Sequence, residues 1–267
     1  MKKILQAHPL STSFIIIICY ALWFILPAFF IDISSQIESF SEINNIIHQW
    51  GTQVVVLIAL VLMVSYLGWW KAIGFVPIHS GSLKFLFPPL LFLVVIFMLL
   101  YPHYEKTGLL LNFENIQQLL FFLLILLILG FTEETVFRGL LFHGLETKFT
   151  AFQTVFISAV IFGLFHYINM LIGANFYSTS YQVIHATASG FMYATLRLRI
   201  GAIWPVMLFH SIWDIGLILL TNIQHPNMSH TQGITSFSFF HAIMLALPAM
   251  SYGMFVYWRW SIWSNKE

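Results

Sequence analysis

Charge is what this sequence lacks most. Only 8% of its 267 residues are Asp, Glu, Lys or Arg, while 59% are hydrophobic, and that leaves too little polar surface to coat a water-soluble globule. The small charge it has nearly cancels, to +1, so no basic face exists to capture the phosphates of a nucleic acid. Cysteine is almost absent. Cys19 stands alone inside an apolar run, which excludes a disulfide framework and a cysteine-built metal centre and says nothing of the redox compartment. HExxH is missing, removing the zincin pattern. There is no inverted repeat of the kind many transporters carry, and no loop long enough to hold a separate soluble domain or a low-complexity tail.

What is present is a series of long apolar runs. A helix needs roughly 20 residues to cross about 30 Å of hydrocarbon, and candidate spans run near Ser11 to Phe30, Gly51 to Trp70, Phe85 to Tyr101, Ile116 to Glu146, Phe149 to Tyr167, Phe176 to Leu198, Ile203 to Thr221 and Phe237 to Trp258. The expected fold is all-α: a polytopic membrane protein of about eight transmembrane helices, forming a single transmembrane domain over residues 1–267. The first run is too long for a signal-peptide core and no small-residue cleavage site follows it, so it reads as a retained anchor. Lys and Arg gather on the cytoplasmic side of membrane proteins. With Lys2 and Lys3 inside, the connections holding Lys71, Lys84, Lys148, Arg197 and Arg199 also fall inside, as do Arg259 and Lys266, and only Lys106 falls outside. Both termini are expected in the cytoplasm. The aromatic ends "LGWW" and "VYWRW" read as interface belts.

Few ionisable residues fall within these spans. Asp32, Glu38, Glu42, Glu105, Glu114, Glu146 and Glu267 lie in loops or at span ends, which leaves Glu133, Glu134 and Asp214 inside, accompanied by Arg138, His166, His185 and His210, with His241 near the start of the last span. Such groups cost several kcal/mol at membrane depth and mark function by default. Glu134 and Arg138 stand four apart, share a helix face and can neutralise each other, while Glu133 is turned away by about 100° and left free to react. Spans four and five form a hairpin turning near "ETKFT", so Glu133 and His166 come to similar depth. His210 and Asp214, again four apart, share a face of span seven. The expected convergence is therefore Glu133, His166, His210 and Asp214, from three helices. Phe162 reads as packing that braces His166, and His185 as a hydrogen-bonded helix-contact residue.

These residues stand in the patterns "EETVFR", "FGLFH" and "HSIWD", that is EExxxR, FxxxH and HxxxD. In their order and their placement on separate spans they resemble the CPBP intramembrane protease family, which includes CAAX prenyl endopeptidases and the bacterial Abi and bacteriocin-processing proteins. The resemblance covers a core of about residues 116–221. It implies hydrolysis of a peptide bond in a membrane-associated peptide or protein, within the lipid bilayer of what is expected to be a bacterial inner membrane. Glu133 would take a proton from water and pass it to the leaving amine, His166 would hold that water, and His210 would donate to the oxyanion. Glu134 and Arg138 would fix the helix and the local field behind them.

The family's last motif most often ends in Asn, whereas this one ends in Asp214. An ionised carboxylate can only accept, so Asp214 either is protonated and donates, or stays ionised and joins Glu133, His166 and His210 around a metal such as Zn²⁺. The metal-free reading is preferred, because the same residues suffice for the acid and base roles. Three rival functions stand beside the protease: a proton-coupled transporter, a non-catalytic immunity or scaffold protein, and a serine intramembrane protease using Ser189 of "TASG" with His210.

Overall fold

The computed structural model describes residues 1–30, 42–107, 116–172, 174–221 and 239–264. Among these residues every regular element is helical: α1 (Lys2–Ala7), α2 (Pro9–Phe30), α3 (Glu42–Leu67), α4 (Phe87–Thr107), α5 (Ile116–Glu134), α6 (Phe142–Glu146), α7 (Ala151–Phe165), α8 (Phe176–Ile200), α9 (Trp204–Thr221) and α10 (Phe239–Ser264). Each expected span coincides with a long helix. Two continuous stretches, Ile116–Glu146 and Ala151–Leu171, are long and apolar enough to cross a membrane by length and composition, and the apolar parts of α2, α3 and α4 are shorter. The loop positions Asp32, Glu38 and Glu114 and the start of the last span at Phe237 lie outside the described residues.

The outer helix faces are apolar, and several polar side chains are buried among the apolar core. Ile15, Ile18, Leu62, Val94, Met98 and Leu120 are exposed on the outer helix faces, while Ser13, Gln53, Thr132, Ser158, Thr195 and Ser211 are buried. A bilayer favours this distribution, since lipid solvates apolar side chains and polar groups must find partners inside the bundle. The inner helix is α8, which packs along both α7 and α10. The hairpin expected near "ETKFT" forms there: Thr150 accepts from the Gln153 N–H, and the Gln153 side chain accepts from the Thr150 N–H in return, a capping box that starts α7. On the same side, Gly201 ends α8 in the left-handed region at φ 81°. The α3–α4 connection closes over this turn through His79 N–H to the Ile200 carbonyl at 2.8 Å and Ile203 N–H to the Gly74 carbonyl at 2.9 Å.

Between α5 and α6 the chain widens into a π-helical segment, Thr135–Leu141. Such wide turns are rare and concentrate at functional sites. Neighbouring helices meet their carbonyls here: the Ser158 hydroxyl of α7 donates to the Phe137 carbonyl at 3.1 Å, and that of Ser13 on α2 stands 2.6 Å from the Leu140 carbonyl. The segment is completely enclosed, from Thr135 to Leu141.

The charge map yields a test of orientation. In a Cys19→Ala background, single cysteines at Lys84 and Lys148 are expected to react with a membrane-impermeant maleimide only from the cytoplasmic face, and one at Lys106 only from the opposite face. Labelling of Lys84 and Lys148 from opposite sides refutes the span order.

Candidate active site

Two glycines let the helices that carry the polar residues approach each other. A Cβ on Gly130 would collide with the Ser211 hydroxyl and lie 3.1 Å from the Met207 carbonyl, so α5 and α9 touch almost backbone to backbone. One turn further along α5 come Glu133 and Glu134, and next to Ser211 comes His210. Gly163 does the same between α7 and α8, where a Cβ would run into Thr187 and the Val183 carbonyl, three residues before His166. Small residues at helix contacts are a sequence signal, and here they precede the ionisable positions.

Glu134 and Arg138 form the expected pair, with Arg138 Nη1 donating to Glu134 Oε1 at 2.9 Å, both side chains fully buried. The guanidinium lies 4.0 Å over the Phe162 ring and 5.2 Å from the Tyr193 ring centroid, two cation–π contacts in a dry site. Gly190 makes the space for it, since a Cβ there would stand 2.8 Å from Nη2 and 2.9 Å from Phe162. Phe162 was expected to brace His166, and its ring does lie edge-on to His166 at 5.0 Å; it also meets His210 at 5.9 Å. Tyr193 escaped the sequence reading altogether, although its ring centroid is 4.7 Å from that of His210.

The pair does more than the spacing implied: Glu134 Oε1, paired with Arg138, also accepts from His210 Nδ1 at 2.8 Å. The other nitrogen of the same ring, Nε2, lies 3.3 Å from Asp214 Oδ2 and 3.8 Å from Glu133 Oε2. The imidazole thus slips between neighbouring carboxylates of α5, which a 100° separation does not forbid when a flat ring presents a nitrogen to each. With Nδ1–H committed to Glu134, Nε2 is the nitrogen left to face Asp214 and Glu133. Exposure rises in order across the cluster, from none at Glu134 and Arg138 to 4% at His210, 14% at Glu133 and 20% at Asp214. Glu133 and Asp214 therefore stand on the more accessible side of the cluster.

His166 closes α7 and begins the tighter turn His166–Ile172. Its Nδ1 lies 2.9 Å from the Phe162 carbonyl, which can only accept, so Nδ1 carries the proton and Nε2 of the neutral ring keeps its lone pair. Among the described residues His166 makes no hydrogen bond or ion pair with Glu133; it senses Asp214 and His210 electrostatically and shares the Phe162 ring with the cluster. His185 does contact a second helix, its ring stacking on Trp213 of α9 at 6.0 Å, but its buried Nε2 has no hydrogen-bond partner. Ser189 donates to the Ala186 carbonyl of its own helix at 3.3 Å, while both nitrogens of His210 face carboxylates, so no serine–histidine pair forms here. As for a metal, no group of three or more His, Cys, Asp or Glu side chains among the described residues is gathered to hold an ion.

Comparison with known proteins fits this geometry. Residues 115–216 match the model of the family described as type II CAAX prenyl endopeptidase Rce1-like, the protease group that EExxxR, FxxxH and HxxxD resemble. The matched stretch holds Glu133, Glu134, Arg138, His166, His210 and Asp214, and leaves α1 to α4 and α10 outside it. No curated protein and no solved structure matches the chain.

The pair at the base of the cluster is testable by stability. Removing one partner strands a buried charge, so Arg138→Ala or Glu134→Gln is expected to cost roughly 3 to 5 kcal/mol, read as a lowered unfolding temperature of the detergent-solubilised protein. Unchanged thermal stability in both variants refutes the structural role of the pair.

Proposed function

We propose that this protein is an intramembrane endopeptidase, hydrolysing a peptide bond in a membrane-associated peptide or protein with a water activated by Glu133 and His166. The observation that carries the reading is His210, gripped at Nδ1 by Glu134 and presenting Nε2 to Asp214 and Glu133 on the more accessible side of the cluster. The family match over the same residues supports it.

The chemistry follows from the donors and acceptors at hand. A water between Glu133 and His166 points one proton at the carboxylate and the other at the Nε2 lone pair, which turns an oxygen lone pair toward the scissile carbonyl carbon. As the C–O bond forms, Glu133 takes the water's proton. The carbonyl oxygen gains negative charge, and N–H of His210 donates to it in a site where low dielectric strengthens the bond. Glu133 then returns its proton to the amide nitrogen as the C–N bond breaks, giving a carboxylate and an amine. In this reading Asp214 is the protonated partner of His210, donating where an Asn would donate its amide N–H, and no resident metal takes part. The carboxyl group keeps a negative charge from standing against the oxyanion.

The substrate class follows from the surroundings. The site sits among helices whose outer faces are apolar, so the scissile bond reaches it from the bilayer, on a hydrophobic or lipid-anchored chain. The name of the matched family points to prenylated C-a-a-X termini. Both termini in the cytoplasm of a bacterial inner membrane complete the proposed setting.

Two experiments check this. Purified protein in lipid vesicles is offered a farnesylated C-a-a-X peptide and unprenylated hydrophobic peptides, with products read by mass spectrometry. Cleavage is expected in the wild type and in Ser189→Ala, and its loss in Glu133→Gln and His166→Ala without loss of folded protein. Activity retained in either of the last two sinks the assignment, and a dead Ser189→Ala returns the serine mechanism. In the second, Asp214→Asn is expected to keep or raise activity and the enzyme to ignore chelators. A dead Asp214→Asn with stoichiometric metal bound to the wild type would reverse the choice in favour of a metal such as Zn²⁺ held by Glu133, His166, His210 and Asp214.

A further inference from the structure

The helix that carries none of the three motifs, α8, supplies a side chain in contact with both donors of one buried carboxylate oxygen. Glu134 Oε1 accepts from Arg138 Nη1 at 2.9 Å and from His210 Nδ1 at 2.8 Å. The Tyr193 ring, 1% exposed, stands 4.7 Å from the His210 ring and 5.2 Å from the Arg138 guanidinium. Guanidinium, carboxylate, imidazole and phenol ring thus close a circuit of contacts. Gly190 lies one turn before Tyr193 and leaves the gap that Arg138 Nη2 fills, and residues three apart share a helix face. Together they make one surface of α8, a ring beside a hollow. Phe209 of α9 meets the Tyr193 ring edge-on at 5.7 Å, so the ring is itself held in place.

His210 needs such a surface. Its short hydrogen bond is at Nδ1, whereas Nε2 stands 3.3 Å from Asp214 Oδ2 and 3.8 Å from Glu133 Oε2, beyond the usual N–H···O range. The torsion that turns a histidine ring is soft, so one short bond fixes Nδ1 and leaves the plane of the ring to its neighbours. Two rings bound that plane: Phe162, edge-on at 5.9 Å, and Tyr193, closer and tilted by 36°. We infer that Tyr193 is a positioning residue of the site, whose ring sets the plane of the His210 imidazole and so aims Nε2 at Asp214 and Glu133. The ring carries this role, and the hydroxyl does not. It rests on the endopeptidase reading, in which His210 donates to the oxyanion, and a donor misplaced by about 1 Å costs on the order of 100-fold in rate.

Tyr193→Leu removes the ring and Tyr193→Phe keeps it. On whichever peptide of the vesicle assay the wild type cleaves, kcat is expected to fall about 10- to 100-fold in Tyr193→Leu with KM within about twofold, and Tyr193→Phe to restore kcat to within about threefold of the wild type. All variants are assayed well below their unfolding temperatures. If Tyr193→Leu does not fold, Tyr193→Met fills the space with a flexible chain and is expected to lose kcat over the same range. Full kcat in a folded variant without the ring overturns the inference. So does a loss in Tyr193→Phe as deep as in Tyr193→Leu, which would hand the role to the hydroxyl. A second readout needs no substrate. In protein carrying isotope-labelled histidine, the imidazole N–H signal that vanishes in His210→Ala is expected to stay sharp in the wild type and Tyr193→Phe and to broaden by exchange in the folded variant without the ring. An unchanged signal there overturns the inference. If the wild type cleaves none of the peptides while the signal behaves as expected, the endopeptidase reading fails and the hold of Tyr193 on His210 stands.

Discussion

One carboxylate oxygen anchors the arrangement. Glu134 Oε1 accepts from Arg138 at 2.9 Å and from His210 at 2.8 Å, so the position of a guanidinium sets the orientation of an imidazole on another helix. The cost is a cation held away from water with two of its nitrogens, Nε and Nη2, without hydrogen-bond partners. Stacking on Phe162 and Tyr193 offsets part of that cost. The same two aromatic rings also touch His210, which makes packing and electrostatics inseparable here. If Arg138 moves, Glu134 turns, and Nε2 of His210 no longer faces Asp214 and Glu133.

The backbone around this anchor is shaped to hold it. A π-helical turn directly follows Glu134, and its carbonyls are met by serines from α2 and α7. Gly130 and Gly163 let α5 meet α9 and α7 meet α8 at contact distance. Within a membrane these close approaches carry more weight than in water, because lipid competes with side chains for apolar contact and association rests on packing and interhelical hydrogen bonds. Polar residues are thereby drawn to the bundle interior. The gradient of exposure from Arg138 out to Asp214 then separates the groups that hold the geometry from those nearer the surface.

Much of this could be read from residues alone. The scarcity of charge and the length of the apolar runs pointed to an all-helical chain and placed each long helix, because each is a local or compositional property of the sequence. The spacing of Glu134 and Arg138 determined their pairing, since four residues bring side chains to one helix face. The same logic placed His210 beside Asp214, now 3.3 Å apart. What only the tertiary structure decided was everything between helices. Spacing along one helix is blind to a ring from another that can wedge between two of its side chains, so it paired Glu134 with Arg138 and did not show the histidine that Glu134 also grips. Nor could it find Tyr193, whose ring reaches His210 only because α8 lies beside α9. That neighbourhood is set by where small residues permit contact, a property of surfaces meeting in three dimensions rather than of any one segment.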